Sequence, residues 1–319
     1  MRVAVIDIGT NSTRLLVADV AGDDELTERE RRTKVTRLGD RLGETGVLSD
    51  EAMARVLGTV REYLEVIHEQ QAERAVAVLT SAVRDAANGE EFLARVRATS
   101  DGLEARVIAG EEEARLTFRG ATSERAAGDG APTLVVDVGG GSTELVVGSG
   151  DEVSFHVSTQ AGVVRHTERH LATDPPTEDE LRALSEDVRA IFAEAVPEEA
   201  RRTARAAIAV AGTATSLGAI DLDLECSSGH NVQGHVVPLA TCRSILERLA
   251  ALPEAQRRGV RGLHPDRAPT IVAGVVMIIE ALELFSLDAT AVSDHDILRG
   301  AALEVVHRAR QSEAPNPPS

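Results

Sequence analysis

The sequence predicts an α/β protein built from two similar halves. Three observations carry that expectation. First, the stretch Val3-Ala-Val-Ile-Asp7-Ile-Gly9-Thr10-Asn11-Ser12-Thr13-Arg14-Leu15-Leu-Val17 has the pattern of an apolar strand, a glycine-bearing turn and a second strand. Second, the same plan returns 130 residues later, from Asp7 to Asp137, as Leu134-Val-Val-Asp137-Val-Gly139-Gly140-Gly141-Ser142-Thr143-Glu144-Leu145-Val-Val147. Third, the remaining segments alternate short apolar runs with helical patterns over 319 residues, more than one core usually supports.

The first half begins with the hairpin at residues 3–17. Ser49 is placed to cap a helix over about 50–70, with Asp50 and Glu51 in its first turn, where acids complement the exposed N–H groups. Residues 75–80 form a buried strand, 92–98 belong to a helix, 105–108 form a strand, and a helix opens at Gly110. The small, polar run from Ser123 to Pro132 has linker composition. The boundary falls there, giving one domain over 1–125 and another over 126–310. The second domain has helices near 177–194, 238–251, 267–284 and 295–309, the last returning to brace the first domain. A strand over 206–211 enters the small-residue turn Ala211-Gly212-Thr213-Ala214-Thr215-Ser216, and residues 311–319 form a Pro-rich, disordered tail.

Composition narrows the function. With 43% hydrophobic and 27% charged residues, the chain has globular composition. Its net charge of −18, one Tyr, five Phe and no Trp argue against a nucleic-acid binder, which needs a basic face and stacking platforms. An anionic substrate is still compatible if positive charge is local or metal-borne. The two cysteines, Cys226 and Cys242, make neither a disulfide framework nor a zinc set, and are expected to be reduced thiols. Asp7 and Arg14 interrupt the early apolar run, so no secretory signal is expected. Ile271–Ile279 is too short to span a bilayer. A cytoplasmic protein with no membrane partner is the expectation.

Each hairpin ends its first strand in an Asp and follows it with small residues. Glycine there lets an anion approach the main-chain N–H groups. Two such turns facing each other could grip one phosphate, although tight hairpins with an incidental Asp have the same pattern. The histidines, including His264 and His295, show no ligand spacing.

Further segments narrow the resemblance. They are Thr80-Ser81-Ala-Val-Arg84-Asp85-Ala-Ala-Asn88, Gly110-Glu-Glu-Glu113-Ala-Arg115-Leu and Ala-Gly212-Thr213, followed by Val-Ser293-Asp294-His-Asp-Ile-Leu-Arg299-Gly300. Together with the two glycine turns they resemble the exopolyphosphatase/guanosine pentaphosphate phosphatase (Ppx/GppA) family, from Val3 to about His307. The resemblance implies the actin–hexokinase–acetate kinase (ribonuclease H-like) fold, with an active-site cleft between the domains. Longer relatives carry an additional C-terminal helical domain of the HD type, whose functions do not transfer to this chain.

The resemblance also implies roles. Glu113 matches a general base that deprotonates the attacking water, with Glu144 as the second catalytic carboxylate. Sequence alone favours the plainer reading, in which Glu111, Glu112 and Glu113 simply complement a helix N-terminus. Asp137 and Glu144, with Asp7, match ligands of Mg²⁺, which favours carboxylates plus substrate phosphate oxygens. Glu144 as a solvent-facing strand residue stays open. Arg84 matches a phosphate clamp, with a surface ion pair to Asp85 as the alternative. Thr10, Asn11, Ser12, Gly139, Gly140, Gly141, Ser142, Gly212 and Thr213 complete the phosphate cradle. In the basic run from Arg29 to Arg41, strand alternation puts Arg29, Arg31 and Arg37 on one face, as a polyphosphate path or a solvated edge strand.

The implied activity is Mg²⁺-dependent release of terminal phosphate from inorganic polyphosphate by a homodimer. Guanosine pentaphosphate as substrate, an ATP-using kinase of the superfamily, and a non-catalytic alarmone sensor are the rival expectations.

Overall fold

The computed structural model describes residues 1–21, 25–124, 130–150, 152–225 and 232–313. In the first part of the chain the elements are β1 (Arg2–Ile8), β2 (Ser12–Ala21), β3 (Glu25–Val35), α1 (Leu42–Thr45), α2 (Asp50–Glu69), β4 (Arg74–Leu79), α3 (Ser81–Asp85), α4 (Gly89–Arg97), β5 (Leu103–Val107) and α5 (Gly110–Thr122). There follow β6 (Thr133–Val138), β7 (Thr143–Ser149), β8 (Glu152–Thr159), α6 (Val163–His170), α7 (Glu178–Ala195), α8 (Glu198–Thr203), β9 (Ala206–Val210) and α9 (Ala211–Asp221). The chain ends through β10 (Val236–Pro238), α10 (Leu239–Ala250), α11 (Glu254–Arg257), α12 (Ile271–Leu284), β11 (Ala289–Val292) and α13 (Ile297–Glu313). Two compact units result: residues 1–124 with 297–319, and residues 125–296.

In the first unit the sheet order is β3-β2-β1-β4-β5. β1 pairs antiparallel with β2 and parallel with β4, and β4 runs parallel with β5. Strand alternation sends Ala4, Ile6 and Ile8 into one core with Val56, Val60 and Tyr63 of α2. Val3 and Val5 point the other way, into a core with Leu116 of α5 and Leu298 and Ala302 of α13. A strand covered on both faces has to be apolar throughout, as β1 is from Val3 to Ile8 except at Asp7. Ser49 caps α2, its hydroxyl accepting from the Ala52 N–H at 3.2 Å.

α13 lies against α5 closely enough that a Cβ on Gly300 would fall 1.8 Å from the Leu116 carbonyl oxygen. Glu304 of α13 accepts from Arg115 and Arg119 of α5 and from Arg308. Residues 311–313, expected in a disordered tail, instead continue α13 to Glu313, with a His307–Gln311 contact of 2.6 Å on its last turns. Residues 314–319, residues 125–129 of the expected linker and Cys226 lie outside the described residues.

The second unit repeats the first. Its sheet order, β10-β11-β9-β6-β7-β8, read from the other edge, places β8-β7-β6-β9-β11 where the first unit has β3-β2-β1-β4-β5. The 130-residue offset extends to an irregularity: β2 and β7 shift register against their outer neighbours at Val17/Ala18 and Val147/Gly148. Leu134, Val136 and Val138 pack with Leu184, Val188 and Phe192 of α7 and with the almost wholly buried α12. β8 and α6 are two elements that the sequence patterns did not place.

Candidate active site

Each motif singled out in the sequence follows the C-terminal end of a parallel strand, the edge at which open α/β sheets bind ligands. In the first unit β1, β4 and β5 end at Ile8, Leu79 and Val107, and are followed by the Thr10–Ser12 turn, Arg84 and Glu113. In the second, β6, β9 and β11 end at Val138, Val210 and Val292, and lead into Gly139–Ser142, Gly212–Thr213 and Ser293.

The first unit joins its three loops. Thr10 Oγ1 and Ser81 Oγ are 2.9 Å apart, tying the β1 turn to α3. Arg84 Nη1 donates to the Glu113 carboxylate and to the Ile108 carbonyl, each at 3.0 Å. Asp85 is a weaker partner, at 3.9 Å. The structure also sorts the three glutamates of α5. Glu111 is exposed. Glu112 pairs with Arg106 at 2.6 Å, a hydrogen bond that, despite partial burial, holds its carboxyl below the usual range. Glu113 alone of the three meets Arg84.

The two hairpins differ at one informative position. In the first, Asp7 stands opposite Arg14, and Arg14 donates to the nearly buried Asp7 carboxylate at 2.6 Å. In the second, Asp137 stands opposite Glu144. Directly opposed residues of an antiparallel pair share a face, and two like charges there repel. The first hairpin therefore carries its own counter-charge, whereas the second has the donor set of a site for a cation. Glu144 is held by hydroxyl donors, from Ser142 at 2.7 Å and Ser158 at 2.8 Å, both to Oε1. Asp7, expected among the metal ligands, has Arg14 on its Oδ2.

Both glycine turns close the same way, with Gly9 N–H donating to Ser12 O at 3.0 Å and Gly139 N–H to Ser142 O at 2.9 Å. The carbonyls of Gly139 and Gly140 accept from Val163 and Val164 at the start of α6. A turn whose carbonyls are committed in this way can offer N–H groups to an anion. Gly162 makes that contact feasible, since a Cβ there would lie 2.2 Å from the Gly141 carbonyl carbon.

The first unit's loops thus set a guanidinium against a carboxylate, the second unit's set two carboxylates opposite each other, and each unit adds a glycine turn. Residues 16–309 match the Ppx/GppA phosphatase family. The chain belongs to the Ppx/GppA phosphatase family. As such it is a hydrolase. Exopolyphosphatase 2 of Mycobacterium tuberculosis is 38% identical over 315 residues, covering 95% of this chain and 98% of the relative. A crystal structure of the Aquifex aeolicus Ppx/GppA family member aligns with a TM-score of 0.83 at 31% identity, covering 97% of this chain and 98% of that one. That of an exopolyphosphatase-like protein aligns with a TM-score of 0.82 at 35% identity, over 97% and 100% of the two chains.

Within this Ppx/GppA phosphatase, the proposed basic path does not form one face. Arg29 falls at the register shift between β2 and β3 and pairs with Asp19 at 2.7 Å. Arg31 pairs with Glu28 at 2.9 Å. Arg37 lies beyond β3 at φ 49°, with its N–H on the Asn11 carbonyl. The bulge and the left-handed residue break the alternation on which the common face rested. Val17, opposite the residue after Arg29, is five residues along β2 from Ser12, roughly 16 Å at strand rise.

Thr213 is also differently disposed. It is buried against Gly274, where an added Cβ would fall 2.5 Å from its Oγ1, so only its backbone is available to a phosphate. Its neighbour Gly212 is overlain by Arg267, whose guanidinium would sit 2.7 Å from a Cβ there and binds the hydroxyls of Thr215 and Ser216 at 3.0 Å each. Ala211 opens this turn at φ 65°, strained for a residue with a Cβ. Arg267 lies 55 residues from Gly212 in the chain, and no local pattern marked it. Finally, the expectation that no histidines share a ligand spacing fails at His166 and His170, four residues apart on α6.

No helix among the described residues is long and apolar enough to cross a membrane.

Proposed function

We propose that this chain is an exopolyphosphatase that hydrolyses the terminal phosphoanhydride bond of inorganic polyphosphate. The observation that carries the reading is the Arg84–Glu113 pair, set at 3.0 Å beside the strand ends of the first unit. A guanidinium can bind the terminal phosphoryl oxygens while orienting the carboxylate that takes a proton from water. Water oxygen then bonds to the terminal phosphorus as the bridging P–O bond breaks. The proton passes to Glu113, and the shortened chain leaves as the anion. Positioning and charge neutralisation suffice for this transfer without a covalent enzyme intermediate.

Asp137 and Glu144 would hold the metal, with Mg²⁺ the ion whose preference for carboxylate and phosphate oxygens fits them. When bound, it supplies neutralisation of charge on the phosphate oxygens. The turns at Thr10–Ser12 and Gly139–Ser142, with the Gly212–Thr213 backbone, are assigned to the phosphate cradle. A cytoplasmic homodimer is part of the same proposal, on the family resemblance. Phosphate release from polyphosphate, guanosine pentaphosphate and ATP, measured side by side, tests it. Release only from guanosine pentaphosphate would replace the substrate, and no release from any of them would refute the proposal.

A further inference from the structure

The pair His166 and His170 lies outside the machinery described above. One helical turn apart on α6, the two rings leave the same side of the helix. α7 brings Asp187 against them. His170 Nε2 lies 2.7 Å from Asp187 Oδ2 and His166 Nε2 lies 3.6 Å from the same oxygen. The three potential donor atoms fall within 4.8 Å of one another.

His166 decides what this cluster can do. Its ring is fully buried, and Nδ1 lies 3.2 Å from the Gly162 carbonyl, which can only accept. The proton of the neutral ring therefore sits on Nδ1, and Nε2 carries a lone pair. That Nε2 has no hydrogen-bond partner among the described residues, and it faces a carboxylate oxygen. Two electron-rich atoms converging in a buried place fit a cation between them. An Nδ1–H donated to a backbone carbonyl is also the arrangement that fixes the tautomer of metal-ligating histidines.

We propose that His166, His170 and Asp187 bind a divalent d-block cation of the Zn²⁺ class, separate from the Asp137–Glu144 pair. Two imidazole nitrogens and one carboxylate select such an ion over Mg²⁺, which prefers oxygen donors. His170 takes part as its neutral Nδ1–H tautomer, releasing its present bond to Asp187. Arg169, which donates to Asp187 at 3.2 Å, is 61% exposed and can turn to solvent. The same helix begins on the Gly139 and Gly140 carbonyls. The ion would therefore anchor α6 to α7 directly behind the glycine turn.

Co²⁺ titrated into metal-stripped, tag-free protein and followed by visible absorption tests the site. One equivalent should give the bands of a nitrogen-ligated, four- or five-coordinate ion, and Zn²⁺ should displace it. Asp137→Asn should keep the bands, whereas His170→Gln and Asp187→Asn should weaken binding at least about tenfold, the scale of losing one ligand or its support. Absence of the bands in the parent, or their persistence in both variants, would overturn the proposal. Should the variants misfold by circular dichroism, imidazole NMR of the parent decides. Zn²⁺ must then shift the His166 and His170 resonances, and unchanged resonances would overturn the site.

Discussion

Glu304→Gln should loosen the first unit by an amount that depends on pH. Glu304 is 8% exposed and receives Arg115 at 3.1 and 3.2 Å, Arg119 at 3.1 Å and Arg308 at 2.8 Å. Burial alone would raise its pKa, but hydrogen bonds and attraction from Arg115 and Arg308 outweigh it and hold the group at about 2. Relative to the ordinary 4.5, that depression corresponds to roughly 3 kcal/mol, which solvent screening of the exposed arginines reduces to about 2 kcal/mol. The sign follows from the acid being depressed in the folded state. Its stabilisation is fully present above pH 4.5 and is lost as pH falls through about 2.

Tyr63 provides the assay, because the chain has one Tyr and no Trp, and this ring is buried in the first unit with its hydroxyl on Thr13 O. Urea unfolding followed by tyrosine fluorescence should show the variant about 2 kcal/mol less stable at pH 7, the gap narrowing below pH 4.5 and closing only near pH 2 and below. Equal midpoints at pH 7, or a deficit independent of pH, would refute the reasoning. Turnover should fall as well, because α5 carries both Arg115 and Glu113.

Glu113→Gln should reduce turnover by roughly 100-fold or more with substrate binding largely intact, the scale of losing a general base; near-normal steady-state turnover would remove it from that role. Asp137→Asn should raise the Mg²⁺ concentration needed for half-maximal activity, since the opposed carboxylate pair becomes a single charge, and full activity of the parent in excess chelator would end the metal assignment. Short polyphosphate should be preferred, with distributive release, because Arg29 and Arg31 are engaged by Asp19 and Glu28 in a protein of net charge −18. Gel analysis should then show a ladder of shortening chains; intact long chains beside free phosphate alone would contradict this.

The repeated hairpin was legible in the chain because strand, turn and strand are local: side-chain alternation and glycine placement are written within fifteen residues. The offset from Asp7 to Asp137 accordingly anticipated the matching sheet orders. Helix limits such as Asp50–Glu69 were equally local, fixed by the Ser49 cap and a periodic apolar face. Which carboxylate serves which partner was not legible. Glu111, Glu112 and Glu113 have the same local setting, and only the approach of Arg84 from α3 and Arg106 from β5 distinguishes them. Asp7 and Asp137 occupy the same place in the repeat, yet the cross-strand partner, Arg14 in one case and Glu144 in the other, gives them opposite electrostatic settings. His166 and His170 share a spacing visible in the sequence, but Asp187 reaches them only because α7 folds back beside α6. Backbone periodicity is set by neighbours along the chain, whereas charge pairing is set by neighbours in space, and these arise only once the helices have packed on their sheets.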